Sequence, residues 1–180
     1  MVTLDGFFEG PKQQLDWHNV DEEFHEFSDR QLSTVDTLLF GRVTYQMMAS
    51  FWPTAAGRDL KIASRMNSLP KLIFSRTLNK VEWNNSRLIK GNIAEEVTKL
   101  KQQPGNDIAL FGSATVLSTL MEANLIDEHR IMIAPIVLGS GNPLFKKMKR
   151  RHTLKLLRTK TFKSGNVLLV YKPHNKTMDA

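Results

Sequence analysis

The apolar residues of this chain switch repeatedly between short β-like runs and helical spacing, and that alternation limits the fold more than any single motif. Strands that alternate with amphipathic helices pair in parallel, because each helix carries the chain back across the sheet. Residues 1–8 read as the end of a strand. Asn19 or Asp21 can cap a helix whose first turn holds Glu22 and Glu23 and whose buried face is Phe24, Phe27 and Leu32. Residues 35–40 form a short buried strand ended by Gly41; from Arg42 to Phe51, Val43, Met47, Met48 and Phe51 recur at helical spacing until Pro53 stops the pattern. A helix is expected over about 58–68, and a central strand over 71–75. The strand 87–90 leads into Asn92, which with Glu95 makes a capping box for a helix faced by Ile93, Val97 and Leu100. Residues 107–111 read as a strand and Gly112-Ser113 as a turn into a helix striped by Val116, Leu117, Leu120 and Met121. The last third changes character: 131–137, 153–162 and 166–171 are strand-like, and Ser164-Gly165-Asn166 is a hairpin turn. The expectation is α/β: one mixed, mostly parallel sheet with helices on both faces and an antiparallel finish. It forms a single domain over 1–173, with a polar tail at 174–180.

Composition narrows the function. A chain of 180 residues is long enough to bury a core without staples, and the absence of Cys removes disulfides, thiolate zinc sites and cysteine nucleophiles together. The longest apolar run, 131–138, is far short of the ~20 residues of a membrane span, and Met1 to Gly6 has no secretion-signal character, so a cytoplasmic location is expected. The five His residues lack metal-ligand spacing, and no metal centre is expected. The net charge of +7 is densest at residues 146–152 and continues in Lys155, Arg158, Lys160 and Lys163. A solvated face is the plain explanation. A polyanion site is the alternative, but the run lacks aromatic interleaving and the chain lacks a helix-turn-helix or RNA-binding signature.

Three junctions carry residues suited to chemistry: Gly41-Arg42-Val43-Thr44-Tyr45, Ser75-Arg76-Thr77 and Gly112-Ser113-Ala114-Thr115. In an open α/β sheet ligands bind beyond the carboxyl ends of the strands, where all three fall. Free N–H groups at the helix start after Gly112 suit a phosphate, and Arg42 and Arg76 could converge on one through charge-assisted hydrogen bonds. The segment Leu138 to Phe145 reads as the rim of a cleft or as a plain turn. There is no P-loop, no G-x-G-x-x-G and no G-x-S-x-G.

Read together, T-L-D-G at 3–6, L-L-F-G-R-V-T-Y at 38–45, S-R-T at 75–77, F-G-S-A at 111–114, L-I-D-E at 125–128 and P-I-V-L-G-S-G-N-P-L-F at 135–145 resemble the dihydrofolate reductase-like family. The resemblance is to the branch typified by the C-terminal reductase domain of the bifunctional riboflavin-biosynthesis deaminase-reductase, and within it to small stand-alone bacterial members. It implies a three-layer αβα sandwich and hydride transfer from NADPH. Gly41, Arg42 and Thr44 match the segment beside the adenosine phosphates, Ser75, Arg76 and Thr77 the 2′-phosphate segment, and Gly112, Ser113, Ala114 and Thr115 the pyrophosphate turn. Thr3, Gly6, Trp17, Gly139 and Gly141 match the substrate side, and the catalytic candidates are Asp5, ranked first, then Glu22 and Glu23. In that family the first strand begins several residues before the position of Thr3, so its beginning is expected to be missing here. The zinc-binding residues of the fused deaminase are not found. Members commonly pair as homodimers, and the strands at 130–137 and 153–171 are apolar enough to contribute.

The leading expectation is an NADPH-dependent reductase of a small carbonyl- or imine-bearing substrate, pterin-like or pyrimidine ribose phosphate-like. Two alternatives stand beside it: a non-catalytic nucleotide-binding protein of the same fold, and a basic polyanion binder using residues 146–163.

Overall fold

The structure, a computed structural model, describes residues 1–55 and 60–174. Along the chain come β1 (Val2–Thr3), β2 (Phe7–Glu9), α1 (Glu22–Leu32), β3 (Val35–Gly41), α2 (Arg42–Phe51), a single 3₁₀ turn (Trp52–Thr54), α3 (Leu60–Ser68) and β4 (Lys71–Phe74). There follow β5 (Ser86–Ile89), α4 (Ile93–Lys101), β6 (Asp107–Leu110), α5 (Ala114–Glu122), β7 (His129–Ala134), β8 (Asn142–Pro143), β9 (Leu154–Thr161) and β10 (Val167–Pro173). Residues 58 and 59 of the expected third helix, and 175–180 of the expected tail, lie outside the described residues. Two compact units emerge, Met1–Asp21 with Leu120–Ala180, and Glu22–Thr119.

In the unit Glu22–Thr119 the four strands are parallel in the order β5-β4-β3-β6. Leu38, Phe40 and Ile73 have no exposed surface, and all four residues of β4 are buried, as a strand covered on both faces requires. Around them pack Leu32, Tyr45, Ile62, Met66 and Trp83. Two polar side chains tie loops to this core. The Tyr45 hydroxyl accepts from the N–H groups of Glu82 (2.9 Å) and Trp83 (3.3 Å), and the Trp83 indole N–H donates to Asn67 Oδ1 (2.6 Å). At the start of α4, Asn92 Oδ1 accepts from the Ala94 N–H (3.0 Å). Glu95 closes the box by accepting from the Asn92 side-chain amide (2.9 Å) instead of the backbone N–H that the motif usually uses.

The other unit holds a mixed sheet, β1-β7-β10-β9, parallel between β1 and β7 and antiparallel thereafter. Met132, Ala134, Leu168 and Val170 form its buried face. The hairpin between β9 and β10 closes where expected, with Phe162 N–H to Asn166 O at 2.8 Å and Gly165 at φ 86, a left-handed turn position that glycine supplies at least cost. No helix among the described residues is long and apolar enough to cross a membrane.

Several expectations change. The single strand expected over 1–8 is two, because the Gly6 N–H bonds back to Thr3 O (2.9 Å) and breaks the run. Residues 142 and 143, expected within a loop, form β8 against β2. On α2 three of the four apolar residues turn outward: Val43, Met47 and Phe51 are 39%, 39% and 50% exposed, whereas Met48 packs against the core and Thr44 and Tyr45 are buried. Tyr45 wins the inward face because its ring fills the core and its hydroxyl satisfies two loop amides. On α1, Leu32 is buried, but Phe24 and Phe27 are only half-buried.

Lys71 is the one charged side chain with no exposed surface among the described residues. Its Nζ donates to the carbonyls of Leu69 (2.6 Å) and Asn67 (3.3 Å), beyond and at the last turn of α3, and lies 4.5 Å from the centre of the Trp83 ring. Burial lowers its pKa to about 8. Folding therefore favours the neutral amine, so stability should be lowest below about pH 8 and rise as pH climbs toward the ordinary lysine value near 10.5. Relative to Lys71→Met, the wild-type protein should gain stability across that window; denaturant unfolding of both at pH 7, 8.5 and 10 reads the gap, which a fully solvated amine would leave constant.

Candidate functional site

The three junctions singled out in the sequence leave one end of the parallel sheet. Gly41 pairs with Phe74, the residue before Ser75, and Leu39 pairs with Leu110, two residues before Gly112. The strand order places β4, β3 and β6 side by side, so Arg42, Arg76 and the Gly112 turn follow three adjacent strands. The two strand-to-helix turns interlock. A Cβ on Gly41 would collide with Ser113 Oγ and lie 2.9 Å from its Cβ, and a Cβ on Gly112 would lie 3.1 Å from Thr44 Oγ1. Thr44 and Ser113 thus fill the spaces that the two glycines leave. Gly112 and Ser113 have φ of 61 and 58, and the second of these is unusual for a residue with a side chain. Ser113 sits just before α5, its hydroxyl 3.5 Å from the Val116 N–H, and the helix N-terminus supplies a partial positive charge.

Arg42 starts α2 exposed to solvent and donates to Gln46 Oε1 one turn later (3.1 Å). The Ser75 hydroxyl accepts from the N–H groups of Thr77 (3.2 Å) and Leu78 (3.0 Å), a tight turn that holds exposed Arg76 at its crest. Ser75 and Thr77 hydroxyls lie 3.4 Å apart. Two guanidinium groups, two hydroxyls and a helix N-terminus thus stand at one sheet end. That donor set suits a multiply charged phosphate ester and offers no carboxylate to repel it.

The other constellation belongs to the unit Met1–Asp21 with Leu120–Ala180. The Thr3 hydroxyl accepts from the Phe7 N–H (3.0 Å) and bonds to Asp5, whose carboxylate accepts from the N–H groups of Leu138 (3.3 Å) and Gly139 (2.8 Å). The Thr3 hydroxyl, followed by those two amides, holds the Asp5 pKa below its ordinary value. The Leu4 N–H donates to Ile136 O, and the Leu144 N–H to Gly6 O. Gly141 packs where a Cβ would stand 2.5 Å from Glu9 O, and Asn142 Nδ2 donates to Glu9 Oε1 (2.8 Å). So the structure brings together Thr3, Asp5, Gly6, Gly139 and Gly141. Sequence reasoning did not single out Glu9 and Asn142, which brace this corner across 133 residues of chain, a pairing no local signal announces.

Trp17 belongs to the same unit and meets His18 edge-to-face at 4.4 Å. Burial lowers the His18 pKa to about 4, so that ring is neutral at neutral pH. In the unit Glu22–Thr119, Glu22 is exposed and Glu23 half-buried in the first turn of α1, where the helix dipole favours negative charge. Among the described residues no three His, Asp or Glu side chains gather as a metal site would.

Asp5→Ala should free the amides of Leu138 and Gly139. Hydrogen exchange at both should quicken while the centre of β7 keeps its protection. In the unchanged protein, acid should release the same loop as pH falls below the ordinary carboxylate range, because a depressed pKa holds the bonded form above it.

Residues 1–168 match the family model described as the RibD C-terminal domain. The uncharacterized protein YyaP of Bacillus subtilis (strain 168) is 41% identical over 172 residues, covering 94% of this chain and 90% of its own. A putative riboflavin biosynthesis protein from Shewanella sp. PV-4 superposes with a TM-score of 0.75 at 24% identity, over 97% of this chain and 96% of that one. A dihydrofolate reductase from Enterococcus faecalis, complexed with NADP(H), superposes with a TM-score of 0.64 at 13% identity, over 97% and 93%. The fold is the dihydrofolate reductase-like α/β fold.

Proposed function

The chain belongs to the RibD C-terminal domain family, and from that premise we propose an NADPH-dependent reductase that delivers hydride to a small carbonyl- or imine-bearing substrate. The observation that carries the reading is the gathering of Arg42, Ser75, Arg76, Thr77 and the Gly112–Thr115 turn at one end of the parallel sheet. When bound, the cofactor supplies the hydride. Gly41, Arg42, Thr44 and the helix start at Gly112, Ser113, Ala114 and Thr115 would hold its phosphates, and Arg76 with Ser75 and Thr77 would favour the 2′-phosphate that distinguishes NADPH from NADH. Thr3, Gly6, Trp17, Gly139 and Gly141 would serve a substrate that is pterin-like or pyrimidine ribose phosphate-like.

Reduction of a C=N or C=O group also consumes a proton. Asp5 is a poor source at neutral pH, because its hydrogen bonds hold it ionised; its part is to position the Leu138–Gly139 loop. Glu22, Glu23 or a water molecule would then deliver the proton. The same observation favours a second reading, a nucleotide-binding protein without turnover. The polyanion reading is weaker, since Glu122 already engages part of the basic run. A homodimer also belongs to the proposal, supported by β9, an edge strand that leaves Leu156 and Leu157 48% and 43% exposed. Light scattering should give twice the chain mass, and the chain mass alone would remove this part.

Titration with NADPH and NADH in parallel, followed through Trp17, Trp52 and Trp83 fluorescence, tests the cofactor. NADPH should bind at least about tenfold more tightly, a difference of about 1.4 kcal/mol. Arg42→Ala or Arg76→Ala should erase the preference. Equal binding of both nucleotides, or of neither, sinks the assignment, whereas NADPH binding without oxidation across a panel of pterin and pyrimidine carbonyl compounds would favour the non-catalytic reading.

A further inference from the structure

In the unit Met1–Asp21 with Leu120–Ala180, the basic run is folded back on the end of α5. Glu122 Oε1 accepts from the Lys149 N–H (2.9 Å) and lies 3.3 Å from His152 Nε2; its Oε2 lies 3.7 Å from Arg150 Nε. Arg150 Nη2 also donates to the Glu122 carbonyl (3.1 Å) and to Asn124 Oδ1 (2.8 Å). Lys147 turns the loop in a left-handed conformation, φ 57, which a residue with a side chain adopts only when its surroundings hold it there.

This folding leaves a cleft of about 200 Å³, lined by Met121, Phe145, Met148, Arg150, His152 and Leu154. Four of the six are apolar, and the two Met side chains can adapt to varied shapes. Phe145 stays 42% exposed, a large apolar ring left in water beside a concave surface. Arg150 Nη1 has no partner among the described residues. Arg150 lines the cleft, and the neighbouring Lys147, Lys149 and Arg151 are exposed, so its surroundings carry positive charge. The volume is below the ~300–1,000 Å³ of drug-sized pockets and limits an occupant to one ring or a short chain.

At Phe145 the cleft adjoins Leu144, whose N–H bonds to Gly6 O of the Asp5 corner, and at His152 it reaches away from that corner. Thr3 pairs with Ala134 at one end of β7, and His152 is near enough to His129, at the other end, to influence its titration. Five residues of extended strand span roughly 17 Å. We propose that this cleft is a second binding site, which takes a small organic carboxylate with its apolar body against Phe145, Met121, Met148 and Leu154 and its charge toward Arg150. A polyanion would meet the same cations along the outer surface and would need neither the cleft nor Phe145.

The test is a titration of the ¹⁵N-labelled full chain with hexanoate, phenylacetate, acetate and a single-stranded oligonucleotide, read from backbone amide shifts. Hexanoate and phenylacetate should shift residues 121 and 145–154 saturably, at least tenfold more tightly than acetate. Phe145→Ser should weaken hexanoate at least fivefold with no change in thermal midpoint, and Arg150→Gln should weaken it as well. Because Arg150 also braces Glu122 and Asn124, a drop in thermal midpoint in Arg150→Gln would leave Phe145→Ser to decide. The proposal is overturned by equal responses to acetate and hexanoate, by no response, by saturation with the oligonucleotide alone, or by unchanged hexanoate affinity in Phe145→Ser.

Discussion

Neither Gly41 nor Gly112 carries a side chain, and the contact between the two strand-to-helix turns depends on it. Ser113 occupies the space beside Gly41, and Thr44 the space beside Gly112, so each turn is seated in the other. A Cβ at Gly41 would overlap Ser113 and one at Gly112 would press on Thr44, and overpacking of this kind typically costs about 1–3 kcal/mol. What the contact secures is geometric. Two helix N-termini, each with unpaired N–H groups, open toward the same end of the sheet, and the left-handed backbone at Gly112 and Ser113 turns the second one sharply. The buried β3 and β4 beneath them, with Leu38, Phe40 and Ile73 fully enclosed, give those turns a rigid base.

Charge is arranged differently in the two units. In Glu22–Thr119, Arg42 and Arg76 stand exposed on tight turns, and their geometry comes from local hydrogen bonds: Gln46 for one, the Ser75 hydroxyl cap for the other. In the other unit, Glu122 draws in the Lys149 N–H, Arg150 and His152 of the densest basic run. The net charge of +7 therefore says little by itself about a partner. Exposed cations on β9, Lys155 and Arg158, also disfavour pairing of that edge with an identical edge, because like charges would face each other. Contact through the sheet face that carries exposed apolar side chains avoids this conflict.

Much of the framework was legible because it is locally determined. The bounds of α2, the cap at Asn92, the strand ending at Gly41 and the hairpin at Gly165 each follow from a few neighbouring residues, and the structure keeps them. The three phosphate-suited junctions were legible too, since glycine, arginine and hydroxyl residues after buried strands announce a strand end. Illegible were features set by partners distant in the chain. The split between β1 and β2 rests on the Gly6–Thr3 turn together with bonds from Leu4 and Asp5 to residues 136–139, which the local sequence does not reveal. The outward face of α2 was misleading for a related reason: Val43, Met47 and Phe51 have helical spacing, but the loop amides of Glu82 and Trp83 draw Tyr45 inward.

The reductase and the non-catalytic readings share every nucleotide contact and differ over one proton. A carboxylate that accepts two amide hydrogen bonds and one from a hydroxyl is stabilised as the anion, which suits holding a loop and opposes giving up a proton. A neutral, half-buried His18 has no acidic proton to offer at neutral pH either. If turnover occurs, its proton must come from solvent or from another carboxylate. The rate of the reductase would then carry no inflection assignable to Asp5. Thr3 is the discriminating neighbour: its hydroxyl both accepts from Phe7 and bonds to Asp5. Valine at that position would remove one stabilising bond from the Asp5 anion and raise its pKa toward the ordinary value. An activity governed by Asp5 would respond to that change, and one governed by solvent would not.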